Sequence, residues 1–336
     1  MADVNRQVVL AKRPIGMVSE SCFEMRAGPV PEIGDGEALV RVTHIAIDPA
    51  IRGWLNEGGN YLPGVAIGEP VRSNGGGVVV ASKNQNLPVG SVAMALTGWQ
   101  EYCVTSFGSH DIFRNATVLP EGTDPLDVLP IYQTGATAWV GVNLVAPPQE
   151  GQTFVVSAAA SAVGSVAGQL AKLRGARVIG IAGGPAKVQW VTEDLGFDAC
   201  IDYKCEDVAT RLKELAPGGV DVFFDNVGGE ILDTVLRRLA VHARVALCGS
   251  VSTDNATAPY RLRNYPRLMG KRARMEGFNA ADHWDHYAQA AAALADLIAE
   301  GKLKYRAHLI EGLEHAPEAL VRLFTGDHLG KLVVRV

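Results

Sequence analysis

The sequence predicts an α/β protein built on a doubly wound parallel sheet, together with a second domain that is a partly open β-barrel. From about residue 125, strands rich in β-branched residues alternate with helices of roughly ten residues, a pattern typical of parallel sheets. Residues 1–120 instead show short strands separated by glycine- and proline-rich turns. The length of 336 residues suits two domains, which we place at 125–295 and at 1–124 with 296–336.

Apolar periodicity places the individual elements. In residues 1–120 we predict strands at 37–44, 76–81 and 92–95 and no long helix. In the second domain the predicted strands are 153–157, 176–182, 199–203, 220–225 and 244–249, and the predicted helices are 165–174, 187–195 and 230–239. The last segment, 330–336, is strand-like, and we expect it to pair with the first domain.

Charge and cysteine content exclude several classes of function. The net charge is −5, so no nucleic acid or anionic membrane partner is expected. Five scattered cysteines without a C-x-x-C pair argue against a disulfide framework or a structural zinc site. The N-terminal segment lacks the apolar core of a signal peptide. We therefore expect a cytoplasmic protein.

The turn after the first strand of the α/β half predicts a dinucleotide site. Residues 157–165 read SAAASAVGS. In a Rossmann turn, small residues let the backbone approach a pyrophosphate, and the N–H groups of the following helix face its charge. Only Gly164 remains of the usual three glycines, so a purely structural crossover is the alternative. The position at the first strand–helix turn favours the nucleotide.

The end of the second strand favours NADPH over NADH. Residues 181–187 read IAGGPAK, with no acid before Glu193. A carboxylate here would bind the ribose 2′-OH of NAD and would repel a 2′-phosphate. Lys187 supplies a cation instead, although a solvated lysine at a helix start is the alternative.

Two later strand ends extend this pattern. Residues 225–229 and 248–250 follow strands at the edge where ligands bind in open α/β sheets. Asn226 either hydrogen-bonds the cofactor or only forms the turn before two glycines.

Taken together, these residues resemble the zinc-independent medium-chain dehydrogenase/reductase superfamily, and within it the alkenal double-bond and prostaglandin reductases. The resemblance covers nearly the whole chain. Its motifs are 47–53 (IDPAIRG), 98–102 (GWQEY), 135–139 (GATAW), 168–172 (GQLAK), 196–204 (GFDACIDYK), 224–230 (FDNVGGE), 271–278 (KRARMEGF) and 323–326 (LFTG). It implies a GroES-like barrel formed by both chain ends, a Rossmann domain and a homodimer.

The resemblance also implies the cofactor and the reaction. Members use NADPH to reduce the C=C bond of α,β-unsaturated aldehydes and ketones, with hydride delivered to the β-carbon. Lys187 is expected at the 2′-phosphate and Tyr203 at the adenosine end. The full set of implied cofactor residues is Thr137, Ala162, Val163, Gly164, Gly183, Lys187, Tyr203, Asn226, Cys248, Gly249, Ser250 and His328.

No metal is expected. The zinc alcohol dehydrogenases use a Cys/His/Glu set around the segment that here reads GEPVR at 68–72, which contains no histidine or cysteine. Their lobe of four closely spaced cysteines is absent too.

Several residues depart from the family pattern near the expected substrate pocket. Ala50 and Ile51 stand where the family usually has Tyr-Met, and Asp254 stands where it has a tyrosine that orients or protonates the substrate. An ionised Asp254 would repel the enolate that forms during reduction. The donor is then another tyrosine (Tyr61 first, then Tyr260 or Tyr265), water or the cofactor ribose, or else Asp254 points into solvent. We predict a pocket of Ala50, Ile51, Tyr61 and Asp254, widened at position 50.

Three functions follow from these features. The first is an NADPH-dependent reductase of enones and enals. The second is a quinone reductase of the same superfamily, which the missing tyrosine donor favours. The third is a cofactor-binding protein with little catalysis, suggested by an altered pocket beside intact cofactor residues.

Overall fold

A computed structural model describes residues 4–108 and 114–336. The chain forms two compact units, Met1–Pro130 with Ala307–Val336 and Ile131–Arg306. The predicted ends of the two domains stay a prediction, because compactness does not test where an independently folding domain begins.

Fifteen strands are present in the described residues. In chain order they are β1 Val4–Leu10, β2 Phe23–Pro29, β3 Glu37–Ile47, β4 Gly75–Ser82, β5 Val92–Ala95, β6 Tyr102–Ser106, β7 Thr117–Val118, β8 Thr153–Ser157, β9 Arg177–Ala182, β10 Ala199–Asp202, β11 Val220–Asp225, β12 Leu239–Leu247, β13 Arg274–Gly277, β14 Ala307–Glu311 and β15 Lys331–Arg335.

Eleven α-helices accompany them in the same part of the chain. They are α1 Ala50–Trp54, α2 Pro125–Val128, α3 Thr134–Val140, α4 Ala162–Leu173, α5 Pro185–Gln189, α6 Val208–Leu215, α7 Gly229–Leu236, α8 Val251–Asp254, α9 Arg267–Lys271, α10 Tyr287–Ala299 and α11 Ala316–Thr325. Turns of π-helix at Gly141–Val145 and Trp190–Asp194 continue α3 and α5. Among these described helices, none has both the length and the apolar character that a bilayer span requires.

The first unit is a β-rich body. Its main sheet has the order β14-β15-β3-β4-β5-β7, β6 also pairs with β3, and β1 and β2 form a separate hairpin-like pair. The pairing of β15 with β3 is antiparallel, which confirms that the C-terminal strand returns to the first domain. Large apolar side chains such as Ile45, Leu55 and Trp99 are fully buried in its core and supply most of its stabilisation by leaving water.

The second unit is the predicted doubly wound sheet. Its order is β10-β9-β8-β11-β12-β13, and all five strand pairs are parallel. Apolar strands such as β11, in which Val222, Phe223 and Phe224 are fully buried, fit a sheet covered on both faces. The order reverses between β8 and β11, and ligands of such folds bind at the carboxyl ends of the strands beside this reversal.

All three predicted helices were wrong in extent, and the one predicted at 165–174 begins three residues earlier, at Ala162, and ends at Leu173. The helix predicted at 230–239 ends at Leu236, and β12 begins at Leu239, five residues before the predicted strand start. The segment LRRLA is compatible with a helix, but pairing with β11 draws Leu239 into the sheet opposite Val220. The helix predicted at 187–195 begins two residues earlier, at Pro185, and changes to π-helix at Trp190.

Candidate active site

The turn between β8 and α4 brings the backbone into a conformation that small residues allow. Ala158 has a φ of +49°, and the hydroxyl of Ser161 accepts a hydrogen bond from the N–H of Gly164 at 3.2 Å, which caps α4. A Cβ on Gly164 would lie 2.2 Å from the carbonyl oxygen of Ala158. The glycine retained from the sequence motif therefore allows the close approach of helix and turn, and Ala162 and Val163 lie in the same first helical turn.

The end of β9 is built around two glycines with different requirements. A Cβ on Gly183 would lie 2.8 Å from the ring of Tyr203, so glycine is needed here to make room for the aromatic ring. Gly184 has a φ of +97°, which side chains other than glycine avoid. Lys187 follows in α5, and its N–H donates to the carbonyl of Gly184 at 3.1 Å. Gly183, Lys187 and Tyr203 thus meet at one corner of the sheet.

Asp202, which the sequence did not single out, connects this corner to the next strand. Its Oδ1 accepts hydrogen bonds from the N–H groups of Gly184 at 2.8 Å and Lys204 at 3.1 Å. Burial would raise the pKa of Asp202, but these two hydrogen bonds, a third from the Cys205 thiol and the nearby charge of Lys204 together outweigh it and hold the pKa below its ordinary value. The carboxylate therefore stays ionised at neutral pH.

Ser157 and Asp225, whose mutual link the sequence did not predict, join β8 to β11 where the strand order reverses. The Ser157 hydroxyl donates to Asp225 Oδ1 at 2.7 Å. The Asp225 carboxylate also accepts from the N–H groups of Val227 and Gly228, each at 3.0 Å. Burial raises the pKa of Asp225 despite these hydrogen bonds. The link fixes the two strand ends between which a dinucleotide would lie.

The turns after β11 and β12 contact each other directly. A Cβ on Gly249 would lie 3.1 Å from the carbonyl oxygen of Asn226, and the N–H of Cys248 donates to the backbone carbonyl of Asp225 at 2.8 Å. The Asn226 amide nitrogen donates to the Ser157 carbonyl at 2.8 Å, so this side chain has a clear structural role. Its contact with the cofactor stays a prediction. Burial raises the pKa of the Cys248 thiol to about 12, which keeps it protonated.

A cavity of about 380 Å³ opens at these strand ends. Its apolar lining includes Leu232 of α7, Leu247 of β12 and Leu262. Three residues with hydroxyl groups also line it, and they are Ser250, Thr253 and Tyr260. Asp225, Cys248 and Gly249 also line it. An apolar cavity with a few polar groups is the usual form of a small-molecule site.

The remaining predicted residues of this unit lie in α8, in the segment 260–265 and in α3. Asp254 ends α8, and its carboxylate accepts a hydrogen bond from the Ser250 hydroxyl at 3.4 Å. Tyr260 lines the cavity, and burial together with Asp233 and Glu230 raises its pKa. Tyr265 is 60% exposed. Thr137 lies in α3, which packs on α4, and its hydroxyl donates to the carbonyl of Gln133.

Four predicted site residues belong to the first unit. Ala50 begins α1, and its neighbour Ile51 has no exposed surface because it packs in the core of that unit. Tyr61 is 57% exposed, and its ring lies edge-on to that of Trp54 at a centroid distance of 6.1 Å. His328 is half-buried after the end of α11. Ile51 therefore has a packing role here, and its place in a substrate pocket stays a prediction.

Comparison with known proteins identifies the family. A sequence model described as the N-terminal domain of oxidoreductase matches residues 6–111, and one described as zinc-binding dehydrogenase matches residues 162–296. The chain is 36% identical to the NADPH-dependent curcumin reductase of Escherichia coli (strain K12) over 341 residues, covering 99% of this chain and 97% of that protein. It is 35% identical to the NADP⁺-dependent 2-alkenal reductase of Nicotiana tabacum, covering 99% and 97%.

A solved structure agrees with these relatives. The crystal structure of CurA from Vibrio vulnificus in complex with NADPH superposes with a TM-score of 0.92 at 37% identity, over 98% of this chain and 99% of that one. Zinc is named in the description of the second sequence match and in the name of one relative, a zinc-type alcohol dehydrogenase-like protein of Schizosaccharomyces pombe that is 32% identical over 94% of this chain and 90% of that protein. Within residues 4–108 and 114–336, no three His, Cys, Asp or Glu side chains are grouped so as to hold a metal, so these residues do not fit a zinc site.

The predicted enzyme class, an NADP-dependent oxidoreductase with NADPH as cofactor, is confirmed by these relatives. The parallel sheet and the separate sheet domain agree with it. The chain belongs to the zinc-independent medium-chain dehydrogenase/reductase family of NADPH-dependent reductases.

Proposed function

We propose that this chain reduces the C=C bond of α,β-unsaturated ketones or aldehydes with NADPH and without a metal. The observation that carries the proposal is the apolar cavity at the ends of β11 and β12, lined by hydroxyl groups, on the same sheet edge as Lys187 and Tyr203. The relatives named as curcumin and alkenal reductases support the same class of acceptor. We also propose that the protein forms a homodimer.

Most of the proposed cofactor residues follow the carboxyl ends of the parallel strands of the second unit. Lys187, Gly183 and Tyr203 would hold the 2′-phosphate and adenosine, and the first turn of α4 would hold the pyrophosphate. On the nicotinamide side of this unit we place Thr137, Asn226, Cys248, Gly249 and Ser250, and His328 of the first unit stays a prediction from the sequence. When bound, NADPH supplies the hydride. The fit is supported by the contact of the Tyr203 ring with Gly183 at the end of β9 and by the close turn at Gly164.

The chain's own part in the chemistry is to stabilise and protonate the enolate. Negative charge develops on the carbonyl oxygen, and a hydroxyl donor there lowers the barrier by a few kcal/mol. Asp254 accepts a hydrogen bond from Ser250 and so acts as an acceptor. The carbonyl oxygen of the substrate requires a hydrogen-bond donor instead. We therefore assign the donor to a tyrosine, with Tyr61 first and Tyr260 or Tyr265 next.

The acceptor class is tested by following NADPH absorbance with matched enones, enals and quinones, and by identifying the products. Formation of the saturated ketone or aldehyde supports the proposal. Quinone reduction without any C=C reduction would instead identify a quinone reductase, the alternative that Asp254 favours because a hydroquinone anion needs less stabilisation. Tight NADPH binding without turnover of any acceptor would contradict both and indicate a cofactor-binding protein.

Replacing each candidate tyrosine by phenylalanine should identify the proton donor. Loss of a catalytic proton donor typically lowers kcat about 100-fold or more, and we expect this in Tyr61→Phe with the KM for NADPH unchanged. Tyr260→Phe and Tyr265→Phe serve as matched variants, because each removes one hydroxyl group from an exposed tyrosine. A Tyr61→Phe enzyme with full kcat would remove Tyr61 from the mechanism.

A further inference from the structure

The loops after β9 and β10 are joined by one carboxylate. Asp202 is only 7% exposed, and its Oδ1 receives the N–H groups of Gly184 and Lys204. Its own N–H donates to Glu206 Oε2 at 2.8 Å. The Gly184 end of this link belongs to the loop that begins α5, and the Lys204 end belongs to the loop that carries Tyr203.

A continuous chain of contacts runs from this carboxylate to Lys187. The Asp202 carboxylate accepts a hydrogen bond from the N–H of Gly184, and the carbonyl of Gly184 accepts one from the N–H of Lys187. The N–H of Tyr203 is held on the same side, by the carbonyl of Ala182 at 3.1 Å. Because Gly184 has a positive φ and little intrinsic preference for one conformation, its peptide needs an external contact to fix it.

We propose that Asp202 is a positioning residue that sets the preference of this site for 2′-phosphorylated nucleotides, by fixing the Gly184 peptide and hence the relative positions of Lys187 and Tyr203. This inference rests on the proposed roles of Lys187 and Tyr203. Asp202 acts through these neighbours and does not itself touch the phosphate.

A carboxylate near a phosphate site needs a physical account, because two negative charges repel each other. The N–H groups of Gly184 and Lys204 stabilise the ionised form of Asp202 and offset its charge locally. Asparagine in its place would keep an oxygen for both N–H groups while removing the charge. Alanine would remove the oxygen and release the loop. The two substitutions therefore separate the hydrogen bonds from the charge.

The test measures binding of adenosine 2′,5′-bisphosphate and of 5′-AMP by titration calorimetry, without any turnover. The affinity ratio is the affinity for the bisphosphate divided by that for 5′-AMP. Asp202→Ala is expected to lower this ratio about tenfold, the effect of one or two lost hydrogen bonds. Asp202→Asn is expected to keep the wild-type ratio or to raise it slightly.

Asp198 provides a matched control. It lies before β10, accepts the N–H of Val178 on β9 at 2.7 Å and pairs with Lys172 at 3.0 Å. Asp198→Ala therefore removes a similar link between the same two strands, at their amino ends. We expect it to lower stability without changing the affinity ratio. If Asp198→Ala lowers the affinity ratio as much as Asp202→Ala does, the effect is a general structural one and the proposal is overturned. The proposal is also overturned if Asp202→Ala keeps the wild-type affinity ratio, or if Asp202→Asn lowers it.

A second variant keeps the proposal testable if Asp202→Ala does not fold. Gly184→Ala leaves the carboxylate in place and meets no atom within 4 Å, but it strains the same peptide at φ +97°. The proposal requires a reduced ratio there, and an unchanged ratio overturns it. Failure of the wild-type protein to prefer the bisphosphate would contradict the proposed cofactor site itself. A preference that survives Asp202→Ala would contradict only the role of Asp202.

Discussion

Replacing Lys187 by alanine is expected to raise the KM for NADPH about 10- to 100-fold and to leave the KM for NADH within about twofold. A hydrogen bond from an ammonium group to a phosphate contributes about 1.5–3 kcal/mol, and each 1.4 kcal/mol changes affinity about tenfold. Only NADPH has the 2′-phosphate, so only its binding should depend on this lysine. The measurement is the kcat/KM of both cofactors with one saturating acceptor.

Two further variants make this result specific. Lys213→Ala removes the same charge from an exposed position in α6 of the same unit, so it should leave the ratio of kcat/KM values unchanged. Lys187→Arg keeps a cation and should retain most of the preference for NADPH. Equal losses with NADPH and NADH in Lys187→Ala would refute the assignment of this side chain to the 2′-phosphate.

The sheet of the second unit could be predicted because its strands are apolar on both faces. Residues 153–157 and 220–225 were predicted with the same ends that β8 and β11 have. The end of α7 could not be predicted, since Leu239 joins the sheet through a partner on β11 rather than through any local preference. The π-helical turn at Trp190–Asp194 likewise has no signal in the pattern of apolar residues.

The positions of the proposed cofactor residues at the strand ends were predictable for a related physical reason. The carboxyl ends of parallel strands meet at one edge, so Gly183, Lys187 and Asn226 could be placed there from their positions after strands. The residues that hold these ends together were missed, because a pattern along one strand does not name its partner on another. A signal does exist: Ser157, Asp202 and Asp225 are each a polar residue that ends a strand directly after buried apolar residues.

The pocket predicted at Ala50 and Ile51 shows what a departure from a family motif does not reveal. Ile51 is fully buried in the core of the first unit, a packing contact that the replacement of Tyr-Met does not indicate, and its place in a substrate pocket stays a prediction. Position along a short helix decides which side chain faces inward, and α1 has only five residues. Its apolar periodicity is therefore too short to reveal the buried side.

Gly164→Ala is expected to lower the free energy of unfolding of the second unit by about 3 kcal/mol, the upper end of the usual effect of overpacking. The new Cβ would lie 2.2 Å from the carbonyl oxygen of Ala158, and a backbone atom cannot move aside as a flexible side chain can. Either the first turn of α4 or the turn after β8 must shift. For a domain of 150–250 residues this loss corresponds to a decrease in Tm of roughly 6–12 °C.

Gly218→Ala is the matched control for this prediction, because a Cβ there meets no atom within 4 Å. Replacing a glycine that has free space around it by alanine raises the free energy of unfolding by up to about 1 kcal/mol, because the unfolded chain loses conformational freedom. Thermal unfolding with and without NADPH separates two consequences in Gly164→Ala. The clash should lower Tm in both conditions, and displacement of the α4 N-terminus should also reduce the increase in Tm that NADPH produces. If Gly164→Ala unfolds at the same temperature as Gly218→Ala, the close approach of helix and turn is not what this glycine provides.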